Sequence, residues 1–355
     1  MTASSASYVI GVDGGNSKTD YLLFDAEGSF VDHIRSGTCS HERFPDGYES
    51  AYRIMDEQIR RLLERNGLSM EQVAAGAFGL AGADIASQKR NLRRVVERIG
   101  FSRYAVDNDS FLGIKAGSEQ GFGICSVNGS GTVTGGISPG GARLQVGGVG
   151  SDLSGDEAGG YYLARRTLRA VYDSFYRLGP ATRLAEPVMR LLGVPSEELF
   201  IDFAVEGLIE RTLPTTELIR LLLAAAEAGD AAALGIVDHS ARQLALSTVG
   251  CLNGLDFGDS EVDVVLAGSV WAKAESPLLA DLYRKHVASL TDRRCRFVTL
   301  HVPPATGAVL WALELARGQP ADADAVAPRR DAAPAQPLDP ALRRRVIQAV
   351  ERLGL

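Results

Sequence analysis

A glycine-rich segment near the beginning of the chain has the composition of a phosphate-binding turn. Residues 13–20 read Asp-Gly-Gly-Asn-Ser-Lys-Thr-Asp and lie between two short apolar runs, so they are predicted to form the tip of a β-hairpin. Paired glycines leave backbone amides free to point at an anion, and Ser17 adds a hydroxyl donor. Asp13, at a strand end, is well placed to hold Mg²⁺ through water beside phosphates. The alternative is an ordinary Asp-Gly hairpin turn. In the functional interpretation the phosphate-binding residues are Gly14, Gly15, Asn16, Ser17 and Lys18.

The same device recurs near the middle of the chain. Asn128 is followed by Gly-Ser-Gly-Thr, again between two predicted strands. Two hairpins with the same chemistry predict that the phosphates of one nucleotide lie between them. The chain has no G-x-x-x-x-G-K-[ST] pattern and no complete G-x-G-x-x-G pattern, which argues against a P-loop enzyme and against a nicotinamide site. The phosphate-binding residues predicted in this hairpin are Gly129, Ser130, Gly131 and Thr132.

Two further glycine-rich segments precede predicted helices. In the first, residues 147–160, Asp156 and Glu157 are expected at a helix N-terminus, where the helix dipole stabilises carboxylates. Plain helix capping is the alternative role for these two acids. In the second, Gly268 and Ser269 end a strand and open a helix, and a glycine there lets a flat ring approach the backbone. The alternative is a normal strand–helix turn.

The segment Asp107-Asn108-Asp109 follows a short predicted strand and offers two acids for proton transfer. Either carboxylate could act as a general base. Asp107 is the better candidate for a structural cap.

The elements around these segments repeat one order. Three short strands in an antiparallel meander are followed by alternating helices and strands, and this order occurs twice, which predicts a duplicated α/β fold with a cleft between two lobes. The predicted strands are 8–13, 20–24, 29–35, 73–80, 104–106, 122–127, 132–137, 142–146, 262–267 and 296–300. The predicted helices are 46–66, 86–98, 157–178, 277–290, 304–316 and 340–353, with more helical sequence in 184–255.

The domain boundaries follow from composition. We expect an N-terminal lobe at 8–117, a C-terminal lobe at 118–316, and a linker at 317–339, which is rich in proline and alanine. The helix 340–353 carries an apolar stripe that begins at Ala341, so it could dock on the N-terminal lobe or form a solvated tail. Docking is favoured, because solvated tails seldom carry such a stripe.

Composition excludes several classes of protein. The chain has 355 residues, 45% of them hydrophobic, which is enough for about two domains. A net charge of −7 argues against nucleic-acid binding. Four widely separated cysteines, without a C-x-x-C pair, indicate single buried thiols in a reducing compartment. No signal peptide or membrane-spanning segment is evident, so we expect a soluble, cytoplasmic protein without membrane partners.

The order of these segments resembles one family. Asp13-Gly14-Gly15, Asp109, 129–132, 155–157 and 268–269 follow the order of the N-acetylglucosamine kinase branch of the BadF/BadG/BcrA/BcrD ATPase family, within the actin/hexokinase-like superfamily. The resemblance covers about residues 8–316, and its most specific part is 148–159. It implies two ribonuclease-H-like lobes that close over ATP and a sugar.

The resemblance also implies roles for individual residues. Asp109 corresponds to the catalytic aspartate, and Gly268 with Ser269 to the adenosine motif. The residues that it places at the sugar are Ser40, His41, Glu42, Asn108, Asp109, Gly148, Val149, Gly150 and Asp156. This chain departs from the pattern at Asn16-Ser17, where the family has Gly-Thr, and by one extra residue between Gly150 and Gly155. It also lacks the asparagine that the family often has near Ser40.

The resemblance implies an ATP-dependent, Mg²⁺-using amino-sugar kinase that phosphorylates the 6-hydroxyl of glucosamine or N-acetylglucosamine, and we expect a homodimer. Glu42 favours a cationic amine, and the alternative is a solvated loop charge. One rival function is an ATP-driven activase of a dehydratase or reductase, which needs cysteines for an iron–sulfur cluster that this chain places poorly. Another is a non-enzymatic sugar sensor, which has no need of a base.

Overall fold

The computed structural model describes residues 7–272, 275–318 and 337–355, and within these ranges ten strands form two five-stranded sheets. The first sheet contains β1 (Tyr8–Gly14), β2 (Lys18–Asp25), β3 (Phe30–Gly37), β4 (Val73–Leu80) and β5 (Tyr104–Asp107). The second contains β6 (Gly123–Asn128), β7 (Thr132–Ile137), β8 (Arg143–Gly147), β9 (Val262–Ala267) and β10 (Cys295–Thr299).

Helices connect and cover the sheets. In the N-terminal half they are α1 (Tyr48–Arg65), α2 (Ala86–Ile99) and α3 (Ser110–Gly117). After β8 come α4 (Ser151–Ser154), α5 (Gly160–Tyr176), α6 (Ala185–Leu192), α7 (Phe200–Ile209), α8 (Thr215–Glu227) and α9 (Ala231–Gly254). The remaining helices are α10 (Ser269–Ala272), α11 (Leu278–Leu290), α12 (Ala305–Ala316) and α13 (Pro340–Glu351). None of these helices is long and apolar enough to cross a membrane.

The two sheets have the same topology. Their strand orders are β3-β2-β1-β4-β5 and β8-β7-β6-β9-β10, with three antiparallel strands followed by two parallel ones. This is the duplicated α/β architecture predicted from the sequence. The loops that follow β1, β4 and β5 all leave the same edge of the first sheet, because parallel strands end together there.

The central strand β1 is buried on both faces. Val9 belongs to the apolar cluster that contains α12, whereas Ile10 and Val12 belong to the cluster that contains α1 and α2. Successive side chains of a strand point to opposite faces, so a strand between two helical layers reads as a continuous apolar run.

Helix α12 lies close to the first sheet. An ideal Cβ on Gly11 would be 2.6 Å from the backbone nitrogen of Val309, and one on Gly307 would be 2.0 Å from the carbonyl oxygen of Leu112. Glycines therefore allow α12 to approach β1 and α3. The lobe boundaries 8–117 and 118–316 stay a prediction, and α12, which the second range includes, packs on the first sheet.

Helix α13 also packs on this side of the molecule. Leu342, Val346 and Val350 are buried in the cluster that contains Val9, and Arg345 donates a hydrogen bond to the carbonyl of Glu27 at 2.7 Å. The stripe begins at Leu342, because Ala341 is exposed, contrary to the sequence prediction. Most of the predicted linker, 319–336, lies outside the described residues.

The four cysteines are all free. Cys39, Cys125 and Cys251 are buried as predicted, but Cys295 is half-buried at the beginning of the edge strand β10.

Candidate active site

Two half-buried carboxylates lie where β1 and β5 end. Burial, together with the negative charge of Asp109, raises the pKa of Asp13 to about 7. Burial, together with the charge of Asp84, raises the pKa of Asp109 to about 6. The two carboxylates therefore form a site with excess negative charge, in which Asp109 has a pKa suited to accepting a proton near neutral pH.

The beginning of α12 also contacts this site. The backbone N–H of Ala305, the first residue of α12, donates to the carboxylate of Asp13 and lowers its pKa, which partly opposes the effect of burial. The Oγ1 atom of Thr306 is buried and has no hydrogen-bond partner among the described residues. The sequence analysis predicted this helix as 304–316 but did not assign its first residues to the site.

Asp107 and Asp109 have different environments. Asp107 is buried and forms ion pairs with Lys89 Nζ at 2.5 Å and Arg143 Nη1 at 3.0 Å, so its predicted role as a cap is wrong. Asp109 has no ion pair among the described residues, and the backbone N–H groups of Ser110 and of Asp109 itself only partly oppose the effect of burial on its pKa. Of the two acids that the sequence left open, Asp109 is therefore the one available to a substrate.

Asp84, after β4, was not predicted as a site residue. Its Oδ1 atom accepts hydrogen bonds from Asn108 Nδ2 and from Gln145 Nε2, both at 2.9 Å. Gln145 lies on β8 of the second sheet, so Asp84 links the two lobes. Burial, followed by the charge of Glu42, raises the pKa of Asp84. A signal was present in the sequence, because Asp84 follows a buried strand as Asp13 does.

The tip of the second hairpin, residues 129–131, is bonded to the start of α5 on one side and is open on the other. The backbone N–H of Gly160, at the start of α5, donates to the carbonyl of Gly129 at 2.8 Å, and that of Tyr161 donates to Ser130 at 3.1 Å. A Cβ on Gly129 or Gly131 would meet no heavy atom within 4 Å. The open side can therefore receive a ligand close to the backbone.

The turn between β9 and α10 packs on this same hairpin. Gly268 has a φ of +104°, and a Cβ there would lie 2.5 Å from the carbonyl oxygen of Asn128. Both the backbone conformation and the close approach require glycine at this position. Ser269, the next residue, is exposed.

The tip of the first hairpin is exposed at Asn16, Ser17 and Lys18. The N–H of Gly15 donates to the carbonyl of Lys18 at 2.9 Å, which closes the turn. Gly14 is buried, and a Cβ there would lie 2.7 Å from Leu80 Cδ2. Glycine at this position therefore allows β1 to pack closely against Leu80.

The loop after β8 is organised by Asp156. Its carboxylate accepts hydrogen bonds from the N–H groups of Gly148 at 3.0 Å and Gly150 at 2.7 Å, and from Ser154 Oγ at 2.7 Å. Val149, between the two glycines, is exposed. The helix predicted from residue 157 begins at Gly160, so the predicted position of Asp156 and Glu157 at its N-terminus is wrong. The carboxylate instead closes the glycine loop.

The loop 40–42 packs against the loop after β4. His41 is buried and stacks on Tyr48, with ring centroids 4.2 Å apart, and burial lowers its pKa. Ser40 Oγ is buried and has no partner among the described residues. Glu42 is exposed and accepts a hydrogen bond from Gln88 Nε2 at 3.1 Å. The loop therefore lies beside Asp84.

The predicted segments form one connected arrangement. Asp13 and Asp109 interact electrostatically, Asp109 interacts with Asp84, and Asp84 lies beside Gly148 in the loop that Asp156 closes. The second hairpin packs against the end of the same loop. A Cβ on Gly159, three residues after Asp156, would lie 2.6 Å from Gly131 Cα in the hairpin.

Known proteins resemble this chain over most of its length. The model of the BadF/BadG/BcrA/BcrD ATPase family matches residues 10–312. An N-acetylmuramic acid/N-acetylglucosamine kinase of Clostridium acetobutylicum is 27% identical over 307 residues, which are 86% of this chain and 98% of that protein. An N-acetyl-D-glucosamine kinase of Dictyostelium discoideum is 25% identical over 321 residues, which are 87% of this chain and 98% of that protein.

The fold also resembles a solved structure. A Chromobacterium violaceum protein, proposed to be an N-acetylglucosamine kinase, superposes with a TM-score of 0.60 at 22% identity. The match covers 86% of this chain and 99% of that protein. At this identity the likeness concerns the fold.

Proposed function

This chain belongs to the BadF/BadG/BcrA/BcrD ATPase family, and we propose that it is an ATP-dependent amino-sugar kinase that phosphorylates the 6-hydroxyl of glucosamine or N-acetylglucosamine. The observation that carries the proposal is the position of Asp109. Its carboxylate has no ion pair among the described residues and lies beside Asp13, at the edge where the first phosphate hairpin begins. The names of the two curated relatives, both kinases of N-acetylated amino sugars, support the substrate class.

In this mechanism Asp109 is the general base. With a pKa of about 6 it is mostly ionised at neutral pH, yet it remains basic enough to accept the proton of a sugar hydroxyl as the hydroxyl attacks the γ-phosphorus. The two hairpins supply backbone N–H and hydroxyl donors to the phosphates, as phosphoryl transfer depends on positioning and charge stabilisation. The nucleotide residues proposed are Gly14, Gly15, Asn16, Ser17, Lys18, Gly129, Ser130, Gly131, Thr132, Gly268 and Ser269.

Asp13 fits a magnesium ion that is shared with the phosphates. No three metal-ligating side chains converge among the described residues, so a cation here would depend on few protein ligands. Mg²⁺ is usually held by one or two carboxylates and completes its shell with water and substrate oxygens. Burial, followed by the negative charges of Asp109 and Asp20, raises the pKa of Asp13, and a bound cation would offset these effects. When bound, Mg²⁺ neutralises charge on the transferred phosphoryl group.

The sugar is proposed to lie between Asp109 and the loop after β8. Asn108, which is buried and held by Asp84, would fix its orientation together with Gly148, Val149, Gly150 and Asp156. The loop formed by Ser40, His41 and Glu42 would close the side beside Asp84.

The deciding experiment measures ADP release with Mg·ATP across glucosamine, N-acetylglucosamine, N-acetylmuramate and glucose, with phosphorus NMR of the product to locate the phosphate. Sugar-dependent ADP release with an amino sugar is the expected result. Sugar binding without turnover would favour a sensor, and sugar-independent ATP hydrolysis would favour an activase. Light scattering tests the proposed homodimer, and fractionation of cells tests the proposed cytoplasmic location.

Nucleotide binding should depend on the open face of the second hairpin. We expect Gly131→Val to weaken ATP binding at least tenfold, because a branched side chain fills space that no protein atom occupies and so blocks only the ligand. Isothermal titration with a non-hydrolysable ATP analogue measures the effect. A matched control is Gly235→Val, on the exposed side of α9, where a Cβ also meets no neighbour and φ is not positive. Unchanged affinity in a folded Gly131→Val protein would remove the hairpin from the nucleotide site.

Glu42 tests which amino sugar is preferred. Glu42 and Asp84 are close enough for the charge of Glu42 to raise the pKa of Asp84, and this negative region favours a protonated amine. If Glu42 contacts the amine, Glu42→Gln should raise KM for glucosamine about tenfold and leave KM for N-acetylglucosamine unchanged. Glu71→Gln, at a distant turn, is the control. An unchanged KM for glucosamine in the variant, or an equal rise for both sugars, would assign Glu42 to the solvated surface.

A further inference from the structure

A second cleft lies between α5 and the first turns of α9. It has a volume of about 470 Å³, within the range of ~300–1,000 Å³ typical of small-molecule sites. None of the residues proposed above to bind nucleotide or sugar lines it. Its charged and polar lining consists of Tyr162, Arg166, Arg169, Asp173, Arg177 and His239.

The cleft has excess positive charge in a chain whose net charge is −7. Arg169 and Arg177 share one carboxylate, because their Nε atoms lie 2.7 Å and 3.6 Å from Asp173 Oδ1. Arg166 forms no ion pair with any described residue. Three guanidinium groups therefore face a single carboxylate in the lining.

The chemistry of this lining suits a phosphate group. A guanidinium presents five N–H donors in a planar fork that matches phosphate oxygens, and a single aspartate cannot satisfy three of them. The Tyr162 hydroxyl already donates to Glu157 Oε2 at 3.3 Å, so the donors left for a phosphate are the guanidinium groups. Ala170 and Ile236 add apolar surface, which can receive the ring of a small ligand.

We propose that this cleft binds a small phosphorylated sugar, the class of compound that the proposed kinase reaction produces. The identity of the sugar rests on the proposed function, whereas the phosphate preference rests on the cleft alone. The ligand would place its phosphate among Arg166, Arg169 and Arg177 and its ring against Ala170 and Ile236.

The cleft is connected to the candidate active site. His239, in the lining, pairs with the carboxylate of Glu157, which directly follows Asp156. Ser240 Oγ donates to the carbonyl of Glu157 at 2.6 Å. Helix α5, which carries Arg166 and Arg169 and is followed directly by Arg177, begins on the tip of the second hairpin through the bond from Gly160 to Gly129. An anion that attracts His239 away from Glu157 would therefore alter the phosphate hairpin, and nucleotide would affect the cleft reciprocally.

Direct binding tests the site. The full-length protein, with saturating ADP and glucosamine to fill the proposed kinase site, is titrated calorimetrically with glucosamine 6-phosphate and, separately, with inorganic phosphate. We expect saturable binding of the sugar phosphate, weakened at least tenfold in Arg166→Ala/Arg169→Ala. The matched control is Arg165→Ala, because Arg165 is exposed on the same helix but does not line the cleft. Titration without ADP and sugar keeps the phosphate test valid if the kinase assignment fails.

The coupling between the cleft and the nucleotide site is measured through the affinity for ADP. His239→Gln should retain sugar-phosphate binding within about threefold but lose the sugar-phosphate-dependent change in ADP affinity that the unmodified protein shows. Absence of saturable binding to the unmodified protein would overturn the proposal. An equal loss of sugar-phosphate affinity in Arg165→Ala would also overturn it. If no anion binds but the oligomeric mass of Arg166→Ala/Arg169→Ala changes, the cleft is instead an interface between protein chains.

Discussion

Asp109→Asn is expected to lower kcat by about 10²–10⁴-fold, the range for removal of a general base. The amide has nearly the same volume as the carboxylate, so the sugar should still bind and KM should change little. Steady-state kinetics on the amino sugar that proves active gives both constants.

The same substitution should not destabilise the fold. Asp109 has no ion pair among the described residues, and its raised pKa shows that the folded protein disfavours the ionised form. At neutral pH the amide removes this unfavourable charge, so the free energy of unfolding should stay equal or increase. Near-normal turnover in Asp109→Asn, with a folded protein, would assign the base to another residue.

A pH profile separates proton transfer from positioning. A base acts in its ionised form, so kcat/KM should rise with pH through the range from about 6 to about 7 in which Asp109 and Asp13 lose their protons, and then level off. Activity is therefore lost as the pH falls below about 6. In Asp109→Asn, the kcat/KM of the residual activity should no longer rise through a pKa of about 6, because the Asp109 carboxyl is absent. An unchanged profile would contradict the assignment.

Local signals in the sequence were sufficient to predict the fold. The strands 73–80, 132–137 and 262–267 have the predicted limits, because glycine-rich or charged turns bound short apolar runs. The repeated order of meander and crossover predicted two sheets of the same topology. Both hairpins and the segment Asp107-Asn108-Asp109 were also recognisable, since each lies at the end of a short strand, whereas the choice of Asp109 over Asp107 rested on the family resemblance.

Features that depend on contacts between distant segments were not predictable in this way. Gln145 and Arg143 lie on β8, yet they bind Asp84 and Asp107 of the first lobe, and nothing in the local sequence pairs them. Asp156 could cap a helix or close the preceding glycine loop, and the second role prevails because several N–H groups of that loop converge on it. The choice between these roles is decided by geometry that spacing alone does not reveal.

Asp107→Asn is expected to destabilise the protein by about 3–5 kcal/mol, the cost of removing one partner from a buried ion pair. Lys89 and Arg143 both contact this carboxylate, and their side chains are only 19% and 9% exposed. Burial already lowers the pKa of Arg143, and the charge of Asp107 is what opposes that effect. The neutral amide of Asn keeps the shape of the side chain but removes the negative charge that stabilises the buried cations.

Chemical unfolding of Asp107→Asn measures this loss, and Asp56→Asn is the matched control. Asp56 pairs with Arg60 on the exposed surface of α1, at 2.8 Å, so its substitution should cost less than about 1 kcal/mol. At a temperature where Asp107→Asn remains folded, its kcat should exceed that of Asp109→Asn, because the base is still present. A stable but inactive Asp107→Asn, together with an active Asp109→Asn, would exchange the two roles: Asp107 would be the base and Asp109 the structural acid.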